Sequence, residues 1–223
     1  KYKTVNGKDV VVGKYRITPR GFRDTSDKGL YFSTSPTASQ VSIRLSELVG
    51  MALRMLSVVF DVSDAFFSGK PLLSHELMFI RVPREILLMD GDNLSKPWRK
   101  LIREVPGCKG ASSSWFRRLS EVLETGGWRA TSVDPALFVH RSPGKDGRLV
   151  LDGLLPVHVD DGKVRATPEV LRGLKKLLDD EKDIQLSAWK EQKQNVPIDY
   201  CGMTFTESSK GTKIEQVDYI KNK

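Results

Sequence analysis

The chain has 223 residues, enough for one large domain or two intimate subdomains, and its 39% hydrophobic and 29% charged content is that of a folded rather than a disordered chain. A formal net charge of +8 favours a polyanionic partner. The two cysteines, Cys108 and Cys201, are too few for a disulfide framework or a cysteine zinc site and suit a reducing compartment, and no apolar stretch is long enough to span a membrane.

The first forty residues are rich in Lys, Arg, Gly and Thr, and "VNGKDVVVGKYRI" predicts a hairpin, an apolar alternating run with an Asn-Gly turn signal before it. Lys14, Arg16, Arg20 and Arg23 there form either a solvated strand face or a phosphate-binding surface. "TASQVSIRLSELVGMALRML" predicts a helix whose apolar stripe holds Val41, Ile43, Leu45, Leu48, Val49, Ala52, Leu53 and Leu56. "SVVFDVSDAFF" switches to a strand that runs into Asp61, with Asp64 placed to cap a short helix. "LMFIRVP" predicts a strand, and "LSKPWRKLIREVPGCKG" a helix broken by a Gly- and Pro-marked turn. "SSSWFRRLSEVLETGGW" predicts a helix capped by serines and stopped at Gly126-Gly127. "PALFVHR" and "RLVLDGLLPVHVDD" read as strands, "TPEVLRGLKKLLDDEK" as an amphipathic helix capped by Thr167, and "IDYCGMTFTESSKGTKIEQ" as a hairpin with a Ser-Ser-Lys-Gly turn. Helices and antiparallel strands alternate irregularly, which argues an α+β fold. His75 and His140 read as surface residues, the cysteines as structural, and Trp98, Trp115, Trp128 and Trp189 as packing. The chain begins at Lys1, lacks a signal-peptide pattern, and ends in "DYIKNK", which looks like the first turn of a helix; it is expected to be a segment of a longer polypeptide.

Two largely apolar strands end in acid, "VVFD" at Asp61 and "VHVDD" at Asp160 and Asp161. Neighbouring strand residues point to opposite faces, so Asp160 and Asp161 cannot share one core, and an unpaired buried carboxylate is costly. The pair either closes a hairpin or holds a cation. If the two strands are sheet neighbours, three carboxylates meet at one edge and repel one another unless a cation sits among them. Mg²⁺ is the natural occupant, a hard ion that takes oxygen ligands and leaves positions for phosphate oxygens.

"FDVSDAFFSGK" with "VHVDDGK" resembles the two metal-binding motifs of reverse transcriptases, the second being the Tyr-x-Asp-Asp hairpin with His158 in the Tyr position. "KYRITPRGF", "PGCKGASSSWF", "SVDPALFVHR" and "DYCGMTFTESSKGTKIEQVDYI" are similar, in order, to further motifs of copia-type LTR retrotransposon polymerases. The resemblance covers nearly the whole chain. It implies a polymerase core of discontinuous subdomains within residues 1–206, with fingers over about 1–36 and 69–110 and palm over about 37–68 and 111–206. The palm is expected to be an antiparallel sheet with helices on one face, and residues 207–223 to finish a primer-grip hairpin and lead toward a thumb.

The same resemblance implies RNA-directed DNA synthesis, with dNTPs added to the 3′-OH of a DNA primer on an RNA or DNA template. Asp61 and Asp160 would be the principal ligands of two Mg²⁺ ions, with Mn²⁺ a possible substitute, and Asp161 a weaker member. Phe66 would exclude a 2′-OH, Lys14 and Arg16 would neutralise the triphosphate, and Gly107 and Lys109 would support the templating pair. His158, Tyr200, Cys201, Gly202 and Met203 would contact the primer. Integrase and RNase H would be neighbouring polyprotein regions, with no membrane partner, in a cytoplasmic particle or the nucleus rather than outside the cell. Pro106 and Ser112 depart from the usual pattern, and "GASSSW" has lost much of its polar contact set. These departures keep two rivals open, a relic that binds nucleic acid without extending it, and a different metal-dependent phosphotransferase or nuclease.

Overall fold

A computed structural model describes residues 2–5, 8–11, 18–21, 35–74, 77–89, 91 and 93–216. The fold is α+β, with four α-helices among the described residues and strands paired antiparallel throughout. Strands β1 (Tyr2–Val5) and β2 (Lys8–Val11) pair antiparallel with Val5 opposite Lys8. Then come α1 (Gln40–Ala52), β3 (Leu56–Ser63), a short 3-10 helix (Ala65–Ser68), β4 (Phe79–Arg81), α2 (Arg84–Met89) and β5 (Trp98–Lys100). The second half holds α3 (Ala111–Thr125), β6 (Trp128–Ala130), β7 (Leu137–Pro143), β8 (Leu149–His158), β9 (Asp161–Ala166), α4 (Pro168–Asp179) and β10 (Gln185–Glu191). A three-stranded sheet of β11 (Pro197–Tyr200), β12 (Met203–Ser208) and β13 (Gly211–Glu215) ends the described chain.

The main sheet has six strands in the order β10-β3-β9-β8-β7-β6. On one face Val58, Phe60 and Val62 of β3, with Val164 of β9 and Leu155 of β8, meet Trp115, Leu119 and Val122 of α3 and Leu171, Leu174 and Leu178 of α4. The opposite face is covered by α1 and the three-stranded sheet, through a smaller core of Ile43, Val59, Tyr200, Met203 and Phe205. Helices therefore lie on both faces, not on one as expected. Both faces of β3 are buried, which explains why its sequence is a near-continuous apolar run.

Helix α1 is turned about its axis relative to the predicted stripe. Val41 (75% exposed), Leu45 and Leu48 (68%) face outward, while Ser42, Ser46, Glu47 and Gly50 are buried. The reason lies on β9, where Lys163 and Arg165 point from the sheet into this layer. Glu47 accepts from Lys163 Nζ at 2.7 Å and from Arg165 at 2.8 Å and 3.2 Å. Lys163 also donates to Ser57 Oγ at 2.6 Å, and Arg165 to the Met55 carbonyl at 3.1 Å. Burial acts to raise the Glu47 carboxyl, but the two cations outweigh it and hold the group below the usual carboxylate range. A Cβ at Gly50 would stand 2.6 Å from that of Arg165, so only glycine lets the helix approach so closely. Leaving Lys163 and Arg165 buried without a counter-charge would cost more than exposing an apolar stripe, so the helix turns to present Glu47. The helix start is tied down by Asp134, whose carboxylate accepts from Ser39 N, Ser42 Oγ and Ala136 N at 2.9, 2.5 and 3.1 Å, a negative charge at a helix N-terminus.

Other expectations are corrected. Residues 94–110 hold β5 and turns rather than a helix, because β5 pairs with β4. Helix α3 is entered through Gly110, and Ser113 and Ser114 are buried inside its first turns instead of capping it. Asp64 makes no side-chain cap; its backbone, at φ 52°, turns the chain out of β3 and its carbonyl accepts from Phe67 N at 2.8 Å. Thr167 takes the N-cap position of α4 but makes no side-chain cap bond. His140 is half-buried, bonded through Nδ1 to Asp152 at 2.6 Å and tilted against Trp128. Trp115 and Trp128 are core residues and Trp189 stacks on Phe60, but Trp98 is exposed. His75 lies outside the described residues.

The inverted seating of α1 has a direct energetic consequence. Glu47→Ala, which strands two buried cations, should lower unfolding free energy by about 3–5 kcal/mol in urea titrations, whereas Leu48→Ala on the outward face should stay within about 0.5 kcal/mol of the parent.

Candidate active site

The acidic edge follows from strand register. Asp61 of β3 lies directly opposite Asp161 of β9, and His158 of β8 directly opposite Asp161 across the β8–β9 turn. That turn has two central residues, Val159 and Asp160. Val159 adopts φ 59°, the positive first position of a II′-type hairpin, where glycine is usual and a β-branched side chain is strained. Two bonds hold it there. Trp115 Nε1 donates to the Val159 carbonyl at 2.7 Å, and Val62 N donates to the Asp160 carbonyl at 3.0 Å. Gly162, next along β9, faces the Phe60 ring so closely that a Cβ would stand 2.3 Å from it, which accounts for the glycine after the paired acids.

Asp61, Asp160 and Asp161 each place a carboxylate oxygen such that all three lie within 4.8 Å of one another, with Asp160 exposed and the other two half-buried. Burial, a hydrogen bond shared with Asp61 and the charges of Asp160 and Asp61 push Asp161 up to about 7. Ser187 of β10 donates its hydroxyl to the Asp61 carboxylate. Three hard oxygen donors this close suit a divalent cation of the Mg²⁺ type, which would relieve their repulsion.

The turn between β11 and β12 lies beside this cluster. Burial raises the Cys201 thiol to about 11, and the Asp161 charge adds to it. Tyr200 is likewise raised by burial, then by Cys201 and Asp161, and its hydroxyl donates to the Pro156 carbonyl at 2.9 Å. Tyr200 and Met203 are core side chains, so this turn offers only half-buried Cys201, exposed Gly202 and its backbone to a ligand. His158 is half-buried at the end of β8. Phe66 sits on the 3-10 helix that follows β3, half-buried against the larger core. Gly107 and Lys109 are exposed in the turn before α3, where Gly21 N donates to the Gly107 carbonyl at 3.1 Å. Lys14 and Arg16 lie outside the described residues.

Sequence reasoning missed Ser187 and the strand that carries it, although the alternation in "IQLSAWKE" is a usable strand signal. It also missed Trp115 as the group that fixes the acidic turn; a buried indole needs an acceptor, but no local pattern names it. No protein-family model matches the chain, and no curated protein matches it.

The raised Asp161 carboxyl gives a pH signature. Its folded value of about 7 exceeds the ordinary 3.8, so its stabilising contribution is complete below about 4 and is lost as pH rises toward 7. Without added metal, Asp161→Asn should therefore gain on the parent in thermal midpoint between pH 4 and about 7. A difference that stays flat across that interval contradicts the assignment.

Proposed function

We propose that this chain is the fingers and palm of an RNA-directed DNA polymerase of the copia-type retrotransposon kind, adding dNTPs to a primer 3′-OH. The observation that carries the reading is the meeting of Asp61 with the sequence-remote pair Asp160 and Asp161 at one edge of an antiparallel sheet. The order of the motifs along the chain and the net charge of +8 support it further.

In this reading Asp61 and Asp160 hold two Mg²⁺ ions and Asp161 is a weaker ligand. The bound ions supply charge neutralisation at the phosphates and a more acidic primer hydroxyl. Ser187, bonded to Asp61, fixes the orientation of that carboxylate, as supporting partners of metal ligands do. Phe66, five residues beyond Asp61 on the 3-10 helix that follows β3, excludes the 2′-OH of a ribonucleotide. The Tyr200–Met203 turn supports the primer through its backbone, since its larger side chains are committed to the core.

Primer extension on an RNA template with Mg²⁺ tests this. Asp160→Asn should lose more activity than the roughly 10–100-fold that outer-shell changes cost, while template binding stays near the parent value. Phe66→Ala should incorporate ribonucleotides that the parent rejects. A parent protein that binds primer–template yet never extends it is a nucleic-acid-binding relic, and one that degrades the substrate is a nuclease; either outcome rejects the polymerase.

A further inference from the structure

Turning Glu47 inward leaves the apolar side of α1 in water. Val41, Leu45, Leu48 and Ala52 follow one another at intervals of four, three and four residues, so they form one continuous row along the exposed side of the helix. Val41, Leu45 and Leu48 are each at least half exposed, as are Leu53 and Leu56 just beyond the helix end. Single exposed leucines are ordinary, but a contiguous apolar row marks a surface that meets something. The row cannot turn into the core of this chain, because the buried side of α1 must present Glu47 to Lys163 and Arg165. The charges around it have one sign. Residues 38–57 carry three charged side chains, Arg44, Glu47 and Arg54. Glu47 is neutralised in the core, whereas Arg44 and Arg54 are exposed and make no ion pair among the described residues. The β12–β13 turn abuts the same helix, with Thr212 Oγ1 at 2.9 Å from Met51 Sδ, and adds exposed Lys210, which also makes no ion pair among the described residues.

We propose that this face docks an amphipathic helix of another protein, its apolar seam against Val41, Leu45 and Leu48 and its acidic flanks toward Arg44, Arg54 and Lys210. The spacing of the row selects a helix. Intervals of four and three residues are those of a heptad seam, which a facing helix of the same pattern fills with its own side chains. The 13 residues of α1 make a rod about 20 Å long, enough to meet about two heptads of the partner. Charge selects acidic flanks. Three unpaired cations beside the row attract carboxylates, and a second copy of the same face would set like charges against each other. The proposal rests on neither the acidic cluster nor the polymerase reading, because docking here needs neither metal nor chemistry.

The test is fluorescence anisotropy with a labelled synthetic peptide of about three heptads, carrying Leu at the a and d positions and Glu at e and g, where the acids also keep the free peptide from pairing with itself. Its counterpart carries Lys at e and g. The Glu-flanked peptide should bind roughly tenfold or more tightly than the Lys-flanked one, and its affinity should fall as salt is raised. Leu45→Ala and Leu48→Ala should each weaken binding by about fivefold or more. Arg44→Glu with Arg54→Glu should reverse the preference between the two peptides. All four side chains are exposed, so these variants should keep the thermal midpoint of the parent, and lost binding then reports docking rather than folding. Asp61→Asn should bind the Glu-flanked peptide like the parent, which separates a failure here from a failure of the polymerase reading. The proposal is overturned if the Glu-flanked peptide fails to bind at millimolar concentration, if both peptides bind equally, or if the leucine variants stay within about twofold of the parent. Self-association of the parent that Leu48→Ala abolishes overturns it as well, as does binding of anionic phospholipid vesicles in preference to the peptide.

Discussion

The position of Asp61 directly across from Asp161 is the constraint on which the site depends. Strand side chains alternate, so a one-residue slip between β3 and β9 would send Asp61 or Asp161 into the apolar layer beneath α3 and α4. The register is held by that layer, where Phe60 lies over Gly162 and Val58 sits opposite Val164. Hydrophobic burial on one face of two strands thus sets where charges fall on the other. The arrangement is costly, since the carboxylates repel and Val159 occupies a strained backbone conformation. The surrounding bonds from Trp115 and Val62 are what make it persist. In the proposed reading, a bound divalent cation would relieve the repulsion gathered at this point.

Behind that edge the same face of β9 continues through Lys163 and Arg165. Alternation forces them inward as surely as it places Asp161, so the fold must neutralise two cations inside a layer. Glu47 does so, and α1 is rotated to deliver it. A buried trio of this kind is weak as a source of net stability, because desolvation consumes most of the Coulombic gain. Its effect is geometrical, in that only one rotation of α1 satisfies all three charges. The layer that backs the acidic edge is thereby seated by polar bonds, and apolar contact is left to Ile43.

Much of the fold was legible locally. The strand carrying Asp61, the helix ending at Gly126-Gly127, the amphipathic α4 and the strands leading to Asp160 all appear where turn chemistry and periodicity place them, although β3 runs two residues past Asp61 to Ser63. The failures share one cause. The stripe on α1 was read by hydrophobicity, and the deciding partners, Lys163 and Arg165, lie more than a hundred residues away. The supposed helix over 94–110 became β5 because a strand near residue 80 was available to pair with it. Residue type alone places Trp98 in packing, but its exposed place follows from that pairing.

What the sequence by itself determined is which carboxylates, turns and apolar runs exist and in what order, because those signals are written in spacing and backbone chemistry within a few residues. That covered the α+β class and the three acids, and through motif order it suggested a polymerase. The tertiary structure alone decided that the three acids converge, that Ser187 joins Asp61, that Tyr200 and Met203 are held in a core, and that α1 turns its apolar side outward. Each of these depends on strand pairing or ion pairing between remote segments. Such contacts are chosen by the free energy of the whole packed molecule and leave no mark on the local pattern of either partner.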